Sequence, residues 1–286
     1  MSAENTLKER LSRIAQDGYR VPDEAEVWPL ALQMMRFLGS PDPELRDELI
    51  CTVLGQWAES CFDSGQVEML LNIALDDEHL FHGLGEQETD SVFMRSFSSL
   101  AIASFVARHR ARPFLTAQAV QETYRKMSAY LLRERDLRGH VTGKGWAHAI
   151  AHAADALDEL ALCPELGEES LPDILRVIRE TVVGASVVFV DEEDERLVAA
   201  ALSAIRRQVL SKADVAQWIS GFASAAWPPT SPEWYRTRTN IKHFLRSLYF
   251  RSLYQGVIEL TEPALSQTLR EIGNRRRIVA APASTE

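Results

Sequence analysis

Three residues able to bind metal or move protons stand at helical spacing in the run Gly143-Lys-Gly-Trp-Ala-His148-Ala-Ile-Ala-His152-Ala-Ala-Asp155. On a helix, positions i, i+4 and i+7 share one side, so His148, His152 and Asp155 are expected to project together. Two neutral imidazoles and a carboxylate suit Zn²⁺ or another divalent transition metal, and three ligands from one segment leave a coordination position for water or substrate. No Glu between the histidines supplies the general base of a His-Glu-x-x-His protease, so only the spacing of the pair is shared with that motif. The same residues fit two other readings. One is a hydrogen-bonded polar strip inside a helical stack, with Asp155 fixing a histidine tautomer. The other is a contact surface for an organic or anionic ligand, with Trp146 at its mouth and His148 as a metal-independent general base. Gly143 and Gly145 either shape that mouth or relax the turn into the helix.

A second group follows i, i+4, i+8 spacing: Arg238, Lys242 and Arg246, with Tyr249 extending the region and Ile241, Phe244, Leu245 and Leu248 forming the opposite, core-facing side. Such a basic stripe suits phosphate or carboxylate, for which arginine offers a planar fork. It equally suits an ion-pair network with the acids of Asp191-Glu-Glu-Asp-Glu-Arg196, if adjacent repeats touch. His79 and His82 sit in an acidic segment, Asp76-Asp-Glu-His-Leu-Phe-His82, that reads as a solvated loop or a minor metal site with Asp76 or Asp77. The chain has no Gly-x-Gly-x-x-Gly, no Gly-x-x-x-x-Gly-Lys-Ser/Thr and no Gly-x-Ser-x-Gly. That argues against nucleotide chemistry and the nucleophile elbow of a standard hydrolase.

The elements that must position these residues are helices. Apolar residues recur at three- and four-residue intervals, as in Leu45, Leu49, Ile50, Val53, Leu54 and Trp57. Short breaker clusters separate the periodic segments, among them Gly39-Ser-Pro-Asp-Pro43, Gly139 to Gly145, Cys163-Pro164 and Trp227-Pro-Pro-Thr-Ser-Pro232. Loops this short make neighbours antiparallel. The spacing predicts helix pairs at 28–38 with 43–59, 67–75 with 90–107, 116–134 with 145–162, 171–183 with 192–209, and 214–225 with 233–255. The second helices return at a period of about 50 residues, near that of helical solenoids, and several open with acids that complement the helix dipole. The expected fold is all-α, a right-handed α-α superhelix of about five helix pairs. Residues 1–272 form its single domain, with a cap helix within 1–20 that buries Leu7, Leu11 and Ile14, and 273–286 are read as a disordered tail.

With 286 residues, 46% of them hydrophobic, the chain can bury a substantial core. Lys+Arg 31 against Asp+Glu 41 gives a net charge of −10, a field that repels nucleic acid and anionic lipid. Cys51, Cys61 and Cys163 form no Cys-x-x-Cys pair and read as reduced packing residues. The first thirteen residues lack a signal-peptide apolar region, and no apolar run reaches the roughly 18 residues of a membrane span. The cytoplasm is the expected compartment, with no membrane partner.

Through Gly145-Trp-Ala-His148-Ala-Ile-Ala-His152-Ala-Ala-Asp155, Glu192-Glu-Asp-Glu-Arg-Leu197 and Asn240-Ile-Lys-His-Phe-Leu-Arg-Ser-Leu-Tyr249, the chain resembles an uncharacterised bacterial domain-of-unknown-function family of the DUF 2785 type. That family is similar in kind to HEAT-like helical repeat proteins, and the resemblance spans roughly Asp90 to Tyr254. It implies an all-helical fold and brings no established activity. The expected function is binding of a partner protein or a small anionic ligand along a polar concave groove. Trp146, His148, His152, Asp155, Arg196, Asn240, Lys242, Arg246 and Tyr249 are the expected contacts. The alternative is a metal-dependent hydrolase with His148, His152 and Asp155 as ligands and Arg196, Lys242 or Arg246 orienting an anionic substrate.

Overall fold

The computed structural model describes residues 2–21, 24–226 and 232–274. Its elements are helical apart from one short hairpin: α1 (Ala3–Gln16), α2 (Glu24–Arg36), a π-helical segment (Glu44–Cys51) running into α3 (Thr52–Ser60), α4 (Ser64–Ala74), α5 (Ser91–Ala111), α6 (Ala117–Arg133), β1 (His140–Val141), β2 (Gly145–Trp146), α7 (Ala149–Ala161), α8 (Ser170–Gly184), α9 (Glu193–Arg206), α10 (Lys212–Ala225), α11 (Pro232–Tyr254) and α12 (Ala264–Asn274). The helices expected from periodicity are therefore present, and α1 buries Leu7, Leu11 and Ile14 as its spacing requires. Two boundaries differ. α7 begins at Ala149 rather than Gly145, because Gly143, Gly145 and His148 all adopt positive φ, which a right-handed helix cannot contain. α12 follows the last expected helix and includes Gly273 and Asn274, which the sequence assigns to a tail. The rest of that tail, from residue 275, and the breaker Trp227-Pro-Pro-Thr-Ser231 lie outside the described residues.

Helices two apart in sequence pack on one another. The π-helical segment and α3 contact α5, then α5 packs on α7, α7 on α9 and α9 on α11; beside them α6 packs on α8, α8 on α10 and α10 on α12. Links such as α4 to α5, α6 to α7 and α8 to α9 join the two rows. Short side chains explain the close packing of α7 on α5, since Ala149, Ala153, Ala154 and Ala156 of α7 and Ser96, Ser98, Ser99, Ala101 and Ala103 of α5 are all buried. Small residues let helix axes approach and place every residue of the contact under strict volume control. One hydrophobic cluster runs from Leu7 to Ile272. No helix among the described residues is long and apolar enough to cross a membrane.

Candidate functional site

The connection from α6 to α7 is held in place before it reaches the histidines. Arg95 and Glu134, both fully buried, form a two-pronged pair, Nε to Oε2 at 2.7 Å and Nη2 to Oε1 at 3.0 Å. Glu134 Oε1 also accepts from the backbone N–H groups of Arg135 and Asp136, and Asp136 binds Arg138 and the Glu88 N–H. The chain then makes the hairpin, with His140 opposite Trp146 and Val141 opposite Gly145. Gly145 has φ of +73°, and a Cβ there would lie 2.7 Å from Cβ of Pro43. Arg46 fastens the hairpin from underneath. Its guanidinium is fully buried, donates to the carbonyls of Ser40 (2.5 Å), Lys144 (2.7 Å) and Trp146 (3.1 Å), and lies over the Phe93 and Phe97 rings. Burial lowers its pKa to about 10, still far above neutrality, so it stays a cation.

The hairpin delivers a ladder of rings. His140 meets Trp146 edge-on at 5.0 Å, Trp146 stacks on His148 at 4.2 Å, His148 meets His152 at 5.7 Å, and His152 meets Phe97 at 4.9 Å. His148 caps α7 in a left-handed conformation, φ 48°, rather than standing inside the helix. Ser96 Oγ donates its one proton to the Ala147 carbonyl and lies 2.8 Å from His152 Nδ1. The serine proton being committed, Nδ1 is the donor of that second bond, which leaves the lone pair of His152 on Nε2. Burial first, then the charges of His148 and Arg196, lower the His152 pKa to about 3. Burial and Arg196 likewise lower that of His148. Both imidazoles are neutral at neutral pH. Asp155 pairs with Arg196 of α9, and burial pushes its carboxyl up to about 6 although Arg196 pulls it down.

A second segment closes on the same place. Asn240 of α11 accepts from the Phe189 N–H (3.0 Å) and donates to the Val187 carbonyl (2.8 Å), fixing the chain that leads into α9. Asp191 and Glu193 then flank Glu192, the left-handed cap of α9 with φ 67°. The Asp191 N–H donates to Glu193 Oε2 at 3.0 Å, and Asp191 Oδ2 accepts from the His140 N–H at 3.3 Å. A side chain at Gly139 would run into the Asp191 carboxylate. One ligand atom each from His148, Asp191 and Glu193 lies within 4.8 Å of the other two. Burial raises the Glu193 carboxyl above its usual range. Two cavities adjoin. One, about 220 Å³, is lined by Leu131, Leu132, Glu134, Ile150, Ala185 and Phe189 among others. The second, about 230 Å³, reaches Gly139, Asp191 and Glu193. Both include Gln87, Arg135, Leu137 and Ser186 in their walls.

Of the residues singled out in the sequence, the structure brings together Trp146, His148, His152, Asp155 and Arg196, but not as one helical row. Asp155 faces Arg196, and His152 Nδ1 faces Ser96. Asn240 spends both ends of its amide on backbone groups. Lys242, Arg246 and Tyr249 lie further along α11 and belong to neither the ring ladder nor the carboxylate cluster; Arg246 is exposed and Tyr249 packs on Phe250. One ion pair between α9 and α11 is Arg251 with Glu195, at 3.6 Å. Sequence reasoning missed Ser96, Gly139 and the place of Asp191 and Glu193 beside His148. The acids were visible as a helix-opening run, but nothing local ties them to a histidine more than forty positions earlier. Residues 80–250 match the model of a family described as protein of unknown function, DUF2785, a span of more than half the chain that holds every site residue except Arg46. No curated protein and no solved structure matches the chain.

Proposed function

The chain belongs to the DUF2785 family, and from that premise we propose that it is a helical-repeat binding protein, a right-handed α-α superhelix that takes a small anionic ligand with an apolar body. The ligand lies in the cleft between the α6–α7 and α8–α9 connections. The observation that carries this reading is the pair of adjoining cavities with Arg135 in the wall of both. Ligand sites are concave, mostly apolar and served by a few convergent polar groups. Leu131, Leu132, Ile150, Ala185 and Phe189 supply the apolar wall. The nearby acids Glu134, Asp136 and Glu180 are matched by Arg95, Arg138 and Arg176. Arg135, whose guanidinium is in no ion pair among the described residues, is the cation that meets the ligand's anionic head. Cys51, Cys61 and Cys163 form no disulfide among the described residues, which suits a reducing compartment and a cytoplasmic protein.

The test is calorimetric titration of metal-free protein with straight-chain monocarboxylates of increasing length. Each added methylene is expected to tighten binding about fourfold, the equivalent of ~0.8 kcal/mol, until the apolar cavity is full. Arg135→Ala should weaken the whole series by a similar factor, and Ala185→Phe should penalise the long members alone. Wild-type protein that binds none of the series overturns the reading.

A further inference from the structure

We infer that His148, Asp191 and Glu193 form a site for a divalent transition metal of the zinc, manganese or iron(II) class, where the amino ends of α7 and α9 meet. The three ligand atoms come from two segments and already lie within 4.8 Å of one another. Bonds of about 2.0–2.2 Å to one ion place neighbouring ligand atoms roughly 3–3.5 Å apart.

The histidine carries the argument, because acids at a helix start are common without an ion. His148 is 9% exposed, and its Nε2 is buried with no hydrogen-bond partner among the described residues. A metal-binding histidine presents such a neutral, unpaired ring nitrogen to the ion. A buried imidazole nitrogen with no partner is otherwise unfavourable. The surroundings hold this geometry. Trp146 stacks on the ring, Gly139 leaves room for the Asp191 carboxylate, and two residues other than glycine, His148 and Glu192, are kept in left-handed conformations on either side. Such backbone states persist only where the surrounding structure imposes them, and they gather at functional sites.

The donor set also selects the ion. One imidazole and two carboxylates offer two negative charges to a dication, and three protein ligands leave positions open, as in catalytic rather than structural sites. The helical trio His148, His152 and Asp155 is a poorer set, since Asp155 is paired with Arg196 and His152 Nδ1 with Ser96. The site borders the ligand cleft but rests on its own ligand atoms, so it stands or falls apart from the small-anion reading.

The experiment uses the full chain without a tag, stripped with chelator and titrated with Co²⁺, Mn²⁺ and Zn²⁺. Binding of Co²⁺ at one per chain is expected to quench tryptophan fluorescence, through Trp146 on the His148 ring, and the quenching should vanish in Trp146→Phe while binding by calorimetry remains. Glu193→Gln and Asp191→Asn, which keep side-chain size, should each weaken binding by more than about 100-fold, beyond the roughly 10–100-fold of a lost supporting contact. Asp155→Asn should leave it within about threefold, below the roughly 10–100-fold of a lost supporting contact, because Asp155 is paired with Arg196 and is not a ligand. Urea midpoints report whether each variant is folded. Wild-type protein that takes up none of the three ions overturns the proposal. So does binding that ignores Glu193→Gln and Asp191→Asn, the behaviour of ions held elsewhere, or binding that fails only in Asp155→Asn, which would return the site to the helical trio. Carboxylate binding by metal-free protein is a separate measurement, so failure of either reading leaves the other standing.

Discussion

His152 and Asp155 stand one turn apart on α7 and titrate in opposite senses. In the folded protein His152 has a pKa of about 3, against 6.5 for an unburied imidazole, and Asp155 about 6, against 3.8. Between pH 4 and 6, roughly, the unfolded chain binds one proton more than the folded chain at His152 and one fewer at Asp155. The histidine alone would make stability fall as pH drops below 6.5; the aspartate alone would make it rise as pH drops below 6. The two slopes cancel, so this pair adds almost no pH dependence to the stability of the metal-free wild-type protein across that window. Asp155→Asn removes the cancellation. Its unfolding free energy, measured by urea titration, should fall by about 1.4 kcal/mol per pH unit on acidification from 6 to 4, with His148 adding in the same direction. A flat profile in the variant would mean that His152 is not held neutral by its surroundings. That these two residues share a side of a helix was legible in their spacing. Their partners, Ser96 and Arg196, were not, because each lies some forty or more positions away on a neighbouring helix.

Among the elements, the hairpin shows where periodicity ceases to inform. The helices were legible because each buries one face, and a buried face repeats every three to four residues. From Gly139 to His148 the conformation is set instead by Arg46, which takes the carbonyls of Lys144 and Trp146 from about a hundred positions away. Those carbonyls are therefore unavailable to a helix starting at Gly145, and the first turn of α7 moves to Ala149. The acid run at Asp191 was likewise legible as a helix start, while its meeting with His148 depends on the Asn240 clasp from α11. The glycines separate these causes. Gly143 has φ of +76°, and a Cβ placed there would meet nothing within 4 Å, so Gly143→Ala should cost only the left-handed conformation, roughly 1–2 kcal/mol. Gly145→Ala adds the collision with Pro43 and should cost a further 1–3 kcal/mol. Equal melting points for the two variants would show that the hairpin is not seated on the Pro43–Arg46 segment.

For the whole molecule, the pattern of packing makes a claim about cooperativity. Most of the packing joins helices two positions apart in sequence, and α5, α7 and α9 are packed most closely. α7 is covered on both sides, by α5 and α9. α1 rests chiefly on the π-helical segment, and α12 on α10 and α11. In the superhelix proposed above, stability is close to a sum of nearest-neighbour terms, so an end unit loses one interface on opening and a middle unit loses two. Hydrogen exchange should divide accordingly. Amides of α7 should exchange through global unfolding, with a denaturant dependence matching that of the whole chain, whereas α1 and α12 should open sub-globally with lower free energy and a smaller denaturant slope. Leu157→Ala, in the fully buried face of α7, should lower the protection of every helix together, while Leu11→Ala should lower that of α1 and leave α7 and α9 nearly unchanged. Uniform protection from α1 to α12, falling uniformly in both variants, would mean that the chain folds as one globular unit around a shared core. The cleft at the amino ends of α7 and α9 would then owe its rigidity to the entire molecule and not to the middle of a stack.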